Sequence, residues 1–254
     1  MKQLVGKNLS KVYYERGLFS VHKKTALYPL DISIDKGEIV ALVGESGSGK
    51  STLANILGCL TAPSTGELYY EGHVIKHPLT GPLRLDIQMI FQNPFTTLHP
   101  FHTIQQSLME PIRLHKIVDT SEENDYIHGL LERCHLKDDI LQRYPSMLSG
   151  GQLQRVNIVR ALSLKPNILI ADEIITALDI PVALDILDLL KDLQEEKNLS
   201  IIFISHDLGA VKKVANRAIV LKEGVVQEED TISNLFSQPK SAYTKELLAA
   251  IPVI

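Results

Sequence analysis

Cysteine is nearly absent from the 254 residues: Cys59 and Cys134 are the two present, and neither sits at metal-ligand spacing. That scarcity excludes a disulfide framework and a cysteine-built metal site, and it suits a reducing compartment. Both thiols read as small core residues. An excess of one charge is lacking as well. Lys plus Arg number 26 against 30 for Asp plus Glu, a net charge of −4, so nothing in the balance points to nucleic acid as a partner. Long apolar runs are also missing. No stretch approaches the roughly 18 to 20 apolar residues that span a bilayer, and Met1-Lys2-Gln3-Leu4-Val5-Gly6 lacks the apolar segment of a secretory signal. Any role at a membrane is therefore expected to pass through a partner. What is present, 44% hydrophobic and 22% charged residues, is enough for one large core or two small lobes.

The densest signal is Gly44-Glu45-Ser46-Gly47-Ser48-Gly49-Lys50-Ser51-Thr52. It follows the apolar run Ile39-Val40-Ala41-Leu42-Val43 and precedes Leu53-Ala54-Asn55-Ile56-Leu57, which reads as strand, glycine-rich turn, helix. A polyphosphate needs several N–H donors close together. The glycines let the backbone curl around it without Cβ clashes, and a helix starting near Lys50 adds orphan N–H groups and the positive end of its dipole. Lys50 reaches the β and γ phosphates as a point charge, and the Ser51 hydroxyl completes a Mg²⁺ shell otherwise made of phosphate and water. The stretch predicts a nucleoside triphosphate site.

Before this loop, residues 2 to 40 alternate short apolar runs with turn signals, including a polar stretch up to Lys24. They predict a small antiparallel sheet leaning on the nucleotide core. Tyr13, with Tyr14 second, is the candidate to stack on a base; the plainer reading is a tyrosine packed on a strand surface. After the helix, 63–67 reads as a loop and 68–75 as a hairpin. The strand Ile87-Gln88-Met89-Ile90-Phe91 then ends in Gln92, at the carboxyl edge where ligands of parallel sheets sit, so Gln92 is placed to meet Mg²⁺ or a water beside the γ phosphate. Residues 96 to 165 read as mostly helical, in pieces at 103–114, 121–134, 138–142 and 151–164 separated by Pro111, Pro145 and Pro166. This predicts a helical lobe inserted into an α/β core.

Leu148-Ser149-Gly150-Gly151-Gln152 opens the last of those helices. Ser149 caps it and the two glycines leave bare N–H groups facing outward, a second anion-binding helix start in the same chain. Next, Ile168-Leu169-Ile170-Ala171 forms a strand ending in Asp172-Glu173. Asp172 can hold Mg²⁺ directly or through water, while Glu173, one residue on, can polarise an attacking water. A helix from Ile180-Pro181 carries a core stripe at 183, 186, 187, 190 and 193. The strand at 200–204 leads to His206, placed at a third strand end to donate to the γ phosphate. The other eight histidines read as solvated loop residues. A hairpin at 218–228 around Glu223-Gly224 and short helices to Ala250 close the chain.

Five motifs thus stand in one order: the loop at 44–52, Gln92, the signature Leu-Ser-Gly-Gly-Gln at 148–152, the acidic strand end at 168–173, and His206. Together they resemble the nucleotide-binding subunits of ABC transporters across essentially the whole chain. The resemblance implies an ATPase of α/β class: a P-loop (RecA-like) core with a mostly parallel sheet, a small antiparallel β subdomain and an inserted helical subdomain. One domain would span 1–254, with the core at about 1–92 and 165–254 and the helical part at about 93–164. It further implies ATP and Mg²⁺ as cofactors, and two such subunits facing head to tail. Ser149, Gly150, Gly151 and Gln152 would then act on the partner's nucleotide. Asp179 would sit beside the nucleotide, and Glu173, His206, Gln92 and Lys50 would serve hydrolysis.

The stretch Phe91-Gln92-Asn93-Pro94-Phe95-Thr96-Thr97-Leu98-His99-Pro100, Arg143-Tyr144-Pro145 and the tail from Pro239 to Pro252 are similar to the oligopeptide, dipeptide and nickel importer ATPases, of the second, F or nickel E, type. That subgroup implies a D-type ATPase, or a second copy, as partner, two transmembrane permeases, and a solute-binding protein outside the cell. The place is the cytoplasmic face of a bacterial membrane, and the cargo nickel or cobalt, a metallophore complex, or di- and oligopeptides. The absence of a long cysteine-bearing extension leans toward the metal. Where the family has D-E-P-T-S-A-L-D, this chain has Asp172-Glu173-Ile174-Ile175-Thr176-Ala177-Leu178-Asp179. The two isoleucines are expected to alter how the segment touches the partner. Rival readings are a soluble ABC protein of translation or repair, and a passive half that binds ATP without turning it over.

Overall fold

The computed structural model of the protein describes residues 1–16, 21–79, 81–176 and 178–250, with the side chains of 15, 16 and 21 outside that description. Ala177, Ile251 and Pro252 of the motifs above, and 17–20 of the polar stretch before Lys24, therefore lie outside the described residues. The chain starts with β1 (Lys2–Arg16) and β2 (Val21–Asp35), followed by β3 (Ile39–Val43) and α1 (Lys50–Leu57). Next come β4 (Thr65–Tyr70), β5 (His73–Val74), α2 (Leu83–Asp86) and β6 (Ile87–Ile90). The helical stretch holds α3 (Ile104–His115), α4 (Glu123–Arg133) and α5 (Gly150–Leu162). After it run β7 (Ile168–Asp172), α6 (Ile180–Lys197), β8 (Ser200–Ile204) and α7 (Leu208–Val214). Then β9 (Arg217–Lys222), β10 (Val225–Thr231), α8 (Ile232–Ser237) and α9 (Ala242–Ala249) close the described chain.

Six strands form one sheet in the order β10-β9-β3-β8-β7-β6, parallel throughout except for β10 at its edge. The apolar run of β3 and that of β8 after Ser200 are buried on both faces, as a parallel sheet covered on both sides requires. Alternation sorts their side chains. Val40, Leu42, Ile202 and Ile204 meet α1 and the second sheet, whereas Ile39, Ala41, Ile201 and Phe203 meet the helices of the other layer. The second sheet is antiparallel, in the order β2-β1-β4-β5. The expected short runs of 2–40 are two strands of 15 residues with several register shifts. These bulges let long strands twist over the core.

Two boundaries differ from expectation. The loop expected over 63–67 already belongs to β4 from Thr65, paired to Ser10. Pro111 does not separate helices but lies inside α3. A capping box between Thr103 and Gln106 starts that helix, and buried Ile104, Leu108 and Ile112 hold it on the core. Packing thereby outweighs the missing N–H. Cys59 and Cys134 are buried, and burial pushes both thiols up to about 12.

Candidate functional site

The phosphate-loop motif connects β3 to α1 at the carboxyl edge of the central sheet, so its turn is held by two rigid elements. At Gly44 (φ +146°) a Cβ would run into the main-chain oxygen of Leu221, so only glycine fits beneath the curl. The Lys50 ammonium is folded inward and donates to the carbonyls of Gly44 (2.7 Å) and Glu45 (2.8 Å). Burial lowers its pKa, and the carboxylates of Glu173, Asp172 and Glu45 oppose that shift. A buried cation resting on loop carbonyls is poised to exchange them for phosphate oxygens.

Three strand ends deliver the remaining groups. Asp172 ends β7, with the Ser51 hydroxyl against it. Burial and the neighbouring Glu173 charge raise its pKa, and its Oδ1 is buried without a hydrogen-bond partner. An orphaned, buried carboxylate oxygen beside a hydroxyl fits a hard divalent cation such as Mg²⁺. Glu173 follows with φ +48°, a left-handed conformation that costs a side-chain-bearing residue about 1 to 3 kcal/mol. The surroundings impose it: the Glu173 N–H donates to Ile204 O (3.0 Å), and the Thr176 hydroxyl donates to Glu173 O (2.9 Å). From this position the Glu173 carboxylate reaches the neighbouring strand ends. Gln92 Nε2 donates to Glu173 Oε2 (2.9 Å), and His206 Nδ1 lies 3.6 Å from Oε1. The side chains expected from three separate motifs thus meet at one carboxylate. The Gln92 amide is thereby engaged with Glu173.

A cleft of about 650 Å³ opens over the loop, lined by Ser46, Gly47, Gly49, Lys50, Ser51, Thr52, Gln92 and Glu173. Tyr13 also faces it, with Tyr28, Lys24 and Glu223, which the sequence reading passed over. Only strand pairing could have revealed Tyr28: Tyr13 on β1 pairs with Lys24, four residues before Tyr28 on β2. Tyr243 was also missed. Its hydroxyl accepts from the Glu45 N–H (3.2 Å), so α9 touches the phosphate loop.

The signature residues lie elsewhere. Ser149 caps α5 through a reciprocal pair with Gln152: the Gln152 N–H donates to Ser149 Oγ (3.3 Å), and the Ser149 N–H donates to Gln152 Oε1 (3.1 Å). The helix start opens into a separate cleft of about 600 Å³ with Gly150, Gly151, Arg155 and Asp179. The phosphate-loop cleft and the signature cleft share no lining residue. Ile174 and Ile175 are 2% and 6% exposed and pack into this chain's own core. Their burial leaves Thr176 and Asp179 as exposed residues of that segment.

Residues 27–176 match the family model described as ABC transporter. The chain is 40% identical over 248 residues to the dipeptide transport ATP-binding protein DppF of Haemophilus influenzae, covering 95% of this chain and 76% of that protein. It is 39% identical over 261 residues to the oligopeptide transport ATP-binding protein OppF of Lactococcus lactis subsp. lactis, covering 100% and 82%. The fold superposes with a TM-score of 0.80 and 33% identity on the ATP-binding cassette MJ0796 in a dimeric post-hydrolysis state bound to ADP and Pi, covering 90% of this chain and 98% of that one. With the motifs gathered at the sheet edge and these likenesses along nearly all its length, the chain belongs to the ABC transporter family, as an ATP-binding ATPase domain coupled to transport.

Proposed function

We propose that this chain is one of two ATPases that power an importer of di- or oligopeptides at the cytoplasmic face of a bacterial membrane, through two permease subunits. Its cargo would arrive by way of a solute-binding protein outside the cell. The peptide class is favoured over nickel or cobalt because the relatives above are named for dipeptide and oligopeptide transport. A second ATPase of D type, or another copy of this chain, supplies the facing half. The observation that supports the reading is the separation of two clefts in one chain, one over the glycine-rich loop and one at the start of the signature helix, with no lining residue in common. Residues about 93–164 form the helical lobe on which the outward surface rides, with 1–92 and 165–254 as the core.

In this reading Lys50 and the loop N–H groups of 44–52 hold the triphosphate of ATP, and Tyr13 stacks on the base. Ser51, Asp172 and Gln92 hold Mg²⁺, which when bound neutralises charge that develops on the phosphate oxygens. Glu173 orients and deprotonates the water for in-line attack, and His206 donates to the γ phosphate. Ser149, Gly151 and the neighbouring Asp179 complete the partner's site, so ATP closes the pair and its hydrolysis reopens it. Phe95 and Phe101, 57% and 81% exposed in the segment after Gln92, face the permeases.

Glu173→Gln tests the chemistry in the assembled transporter. It should lower the ATPase rate by roughly 10²-fold or more while ATP still binds. An unchanged rate would remove Glu173 from the role of base.

A further inference from the structure

The β9–β10 turn, Glu223-Gly224, stitches the two halves of the nucleotide cleft together. On one side the Gly224 N–H donates to Ser48 O in the phosphate loop (2.9 Å). On the other its carbonyl accepts from the Tyr28 N–H on β2 (2.9 Å). Strand β2 belongs to the antiparallel sheet and the loop to the central sheet, so this two-residue turn bridges the sheets at the cleft. Both turn residues are left-handed, at φ +50° and +77°. The space is full: a Cβ at Gly224 would lie 2.7 Å from Ala26 O and 3.1 Å from Leu27 Cα, and one at Gly49 would lie 2.8 Å from Ala26 O. At Gly224 backbone therefore meets backbone, while at Gly49 the Leu27 side chain also lies 2.8 Å from the Cβ position.

We infer that Gly224 is a positioning residue that sets the distance between the phosphate loop and the Tyr13–Tyr28 face, and so makes the cleft fit a whole nucleoside triphosphate. The inference rests on the proposed placing of the base against Tyr13. If a side chain is forced in at 224, the weaker partner yields. The turn is fixed to the loop's own side, because β9 pairs with β3 from Arg217 to Val220 and β3 runs directly into the loop. Strand β2 meets the turn at its Ala26–Tyr28 edge and gives way, carrying Tyr28 and the paired Tyr13 edge of β1 outward. The triphosphate half stays intact while the base half opens.

The test compares two ligands on the full chain: Mg·ATP and Mg·tripolyphosphate, the latter filling only the phosphate half. Gly224→Asn keeps a residue type that tolerates positive φ and adds the colliding Cβ. It should weaken ATP about tenfold or more and leave tripolyphosphate within about threefold. Gly72→Asn is the control for the conformation alone: it has φ +83° and nothing within 4 Å of its Cβ, and it should change neither affinity. Equal weakening of both ligands, or no change in either, would overturn the inference. If Gly224→Asn folds too poorly to titrate, Gly224→Ala, which brings the same Cβ with less bulk, is titrated with the same two ligands: selective weakening of ATP supports the spacing role, and equal weakening or no change overturns it. Failure of Tyr13→Ala to weaken ATP in the wild-type background would strike the base placing, separately from the spacing.

Discussion

At the scale of single residues, the account turns on two adjacent carboxylates given different surroundings. Asp172 is half-buried with an orphaned oxygen; Glu173, on a left-handed backbone, reaches Gln92 and His206. Burial and the Glu173 charge raise the Asp172 pKa above the ordinary 3.8, because both disfavour its ionised form. The stability Asp172 contributes is therefore fully present below 3.8 and lost as pH rises through its raised value. Above that range the ionised carboxylate costs the fold stability, a cost that a divalent cation beside it would offset. Asp172→Asn should accordingly raise the melting temperature of the ligand-free chain at neutral pH while weakening Mg·ATP about tenfold. A lower melting temperature, or undiminished Mg·ATP affinity, would contradict this. The motif spacing revealed both residues but not their division, because the positive φ of Glu173 comes from contacts with Ile204 and Thr176 that no local pattern announces.

Elements explain what the motifs alone could not place. The phosphate loop was legible because strand, glycines and helix lie within one short stretch. The base-facing edge was not, since it is assembled from β1 and β2 by long pairing, and the loop's second support comes from α9 near the far end of the chain. That support is specific. Tyr243 is 5% exposed, Lys222 lies 4.4 Å over its ring, and Glu228 anchors the start of α9 by accepting from the N–H groups of Lys240 and Ser241 at 2.9 Å. Tyr243→Phe keeps the packing and removes the acceptor for the Glu45 N–H. The loss of about 1 kcal/mol should appear as a roughly fivefold weaker ATP affinity with little change in turnover at saturation. Unchanged affinity would mean that α9 only packs nearby. Pro111 teaches the opposite lesson about legibility: a local breaker signal was overruled by the apolar stripe of α3.

The whole molecule must hold two sheets in register for any of this geometry to persist. Arg217 on β9 does so from the far end of the central sheet. It forms a forked pair with Glu38 (2.8 and 3.0 Å) and also donates to Glu229 and to Ser33 O on β2. Arg217 and Glu38 side chains are 17% and 16% exposed. Arg217→Ala removes the ion pair of Glu38 and leaves its carboxylate the Asp35 N–H (2.5 Å); it should cost about 3 kcal/mol in urea unfolding, and a cost below about 1 kcal/mol would show that packing alone joins the sheets. The central claim concerns a larger assembly: one chain grips its own triphosphate, and its signature helix completes the site of another. The direct measurement is a structure of the pair trapped with ATP on Glu173→Gln chains, beside the same preparation carrying Ser149→Arg. The account predicts Ser149 and Gly151 of one chain at hydrogen-bond distance, about 3 Å, from the triphosphate held by the other chain's loop. It also predicts that Ser149→Arg binds ATP yet forms no closed pair. A closed, ATP-loaded pair with residues 148–152 facing solvent would contradict it.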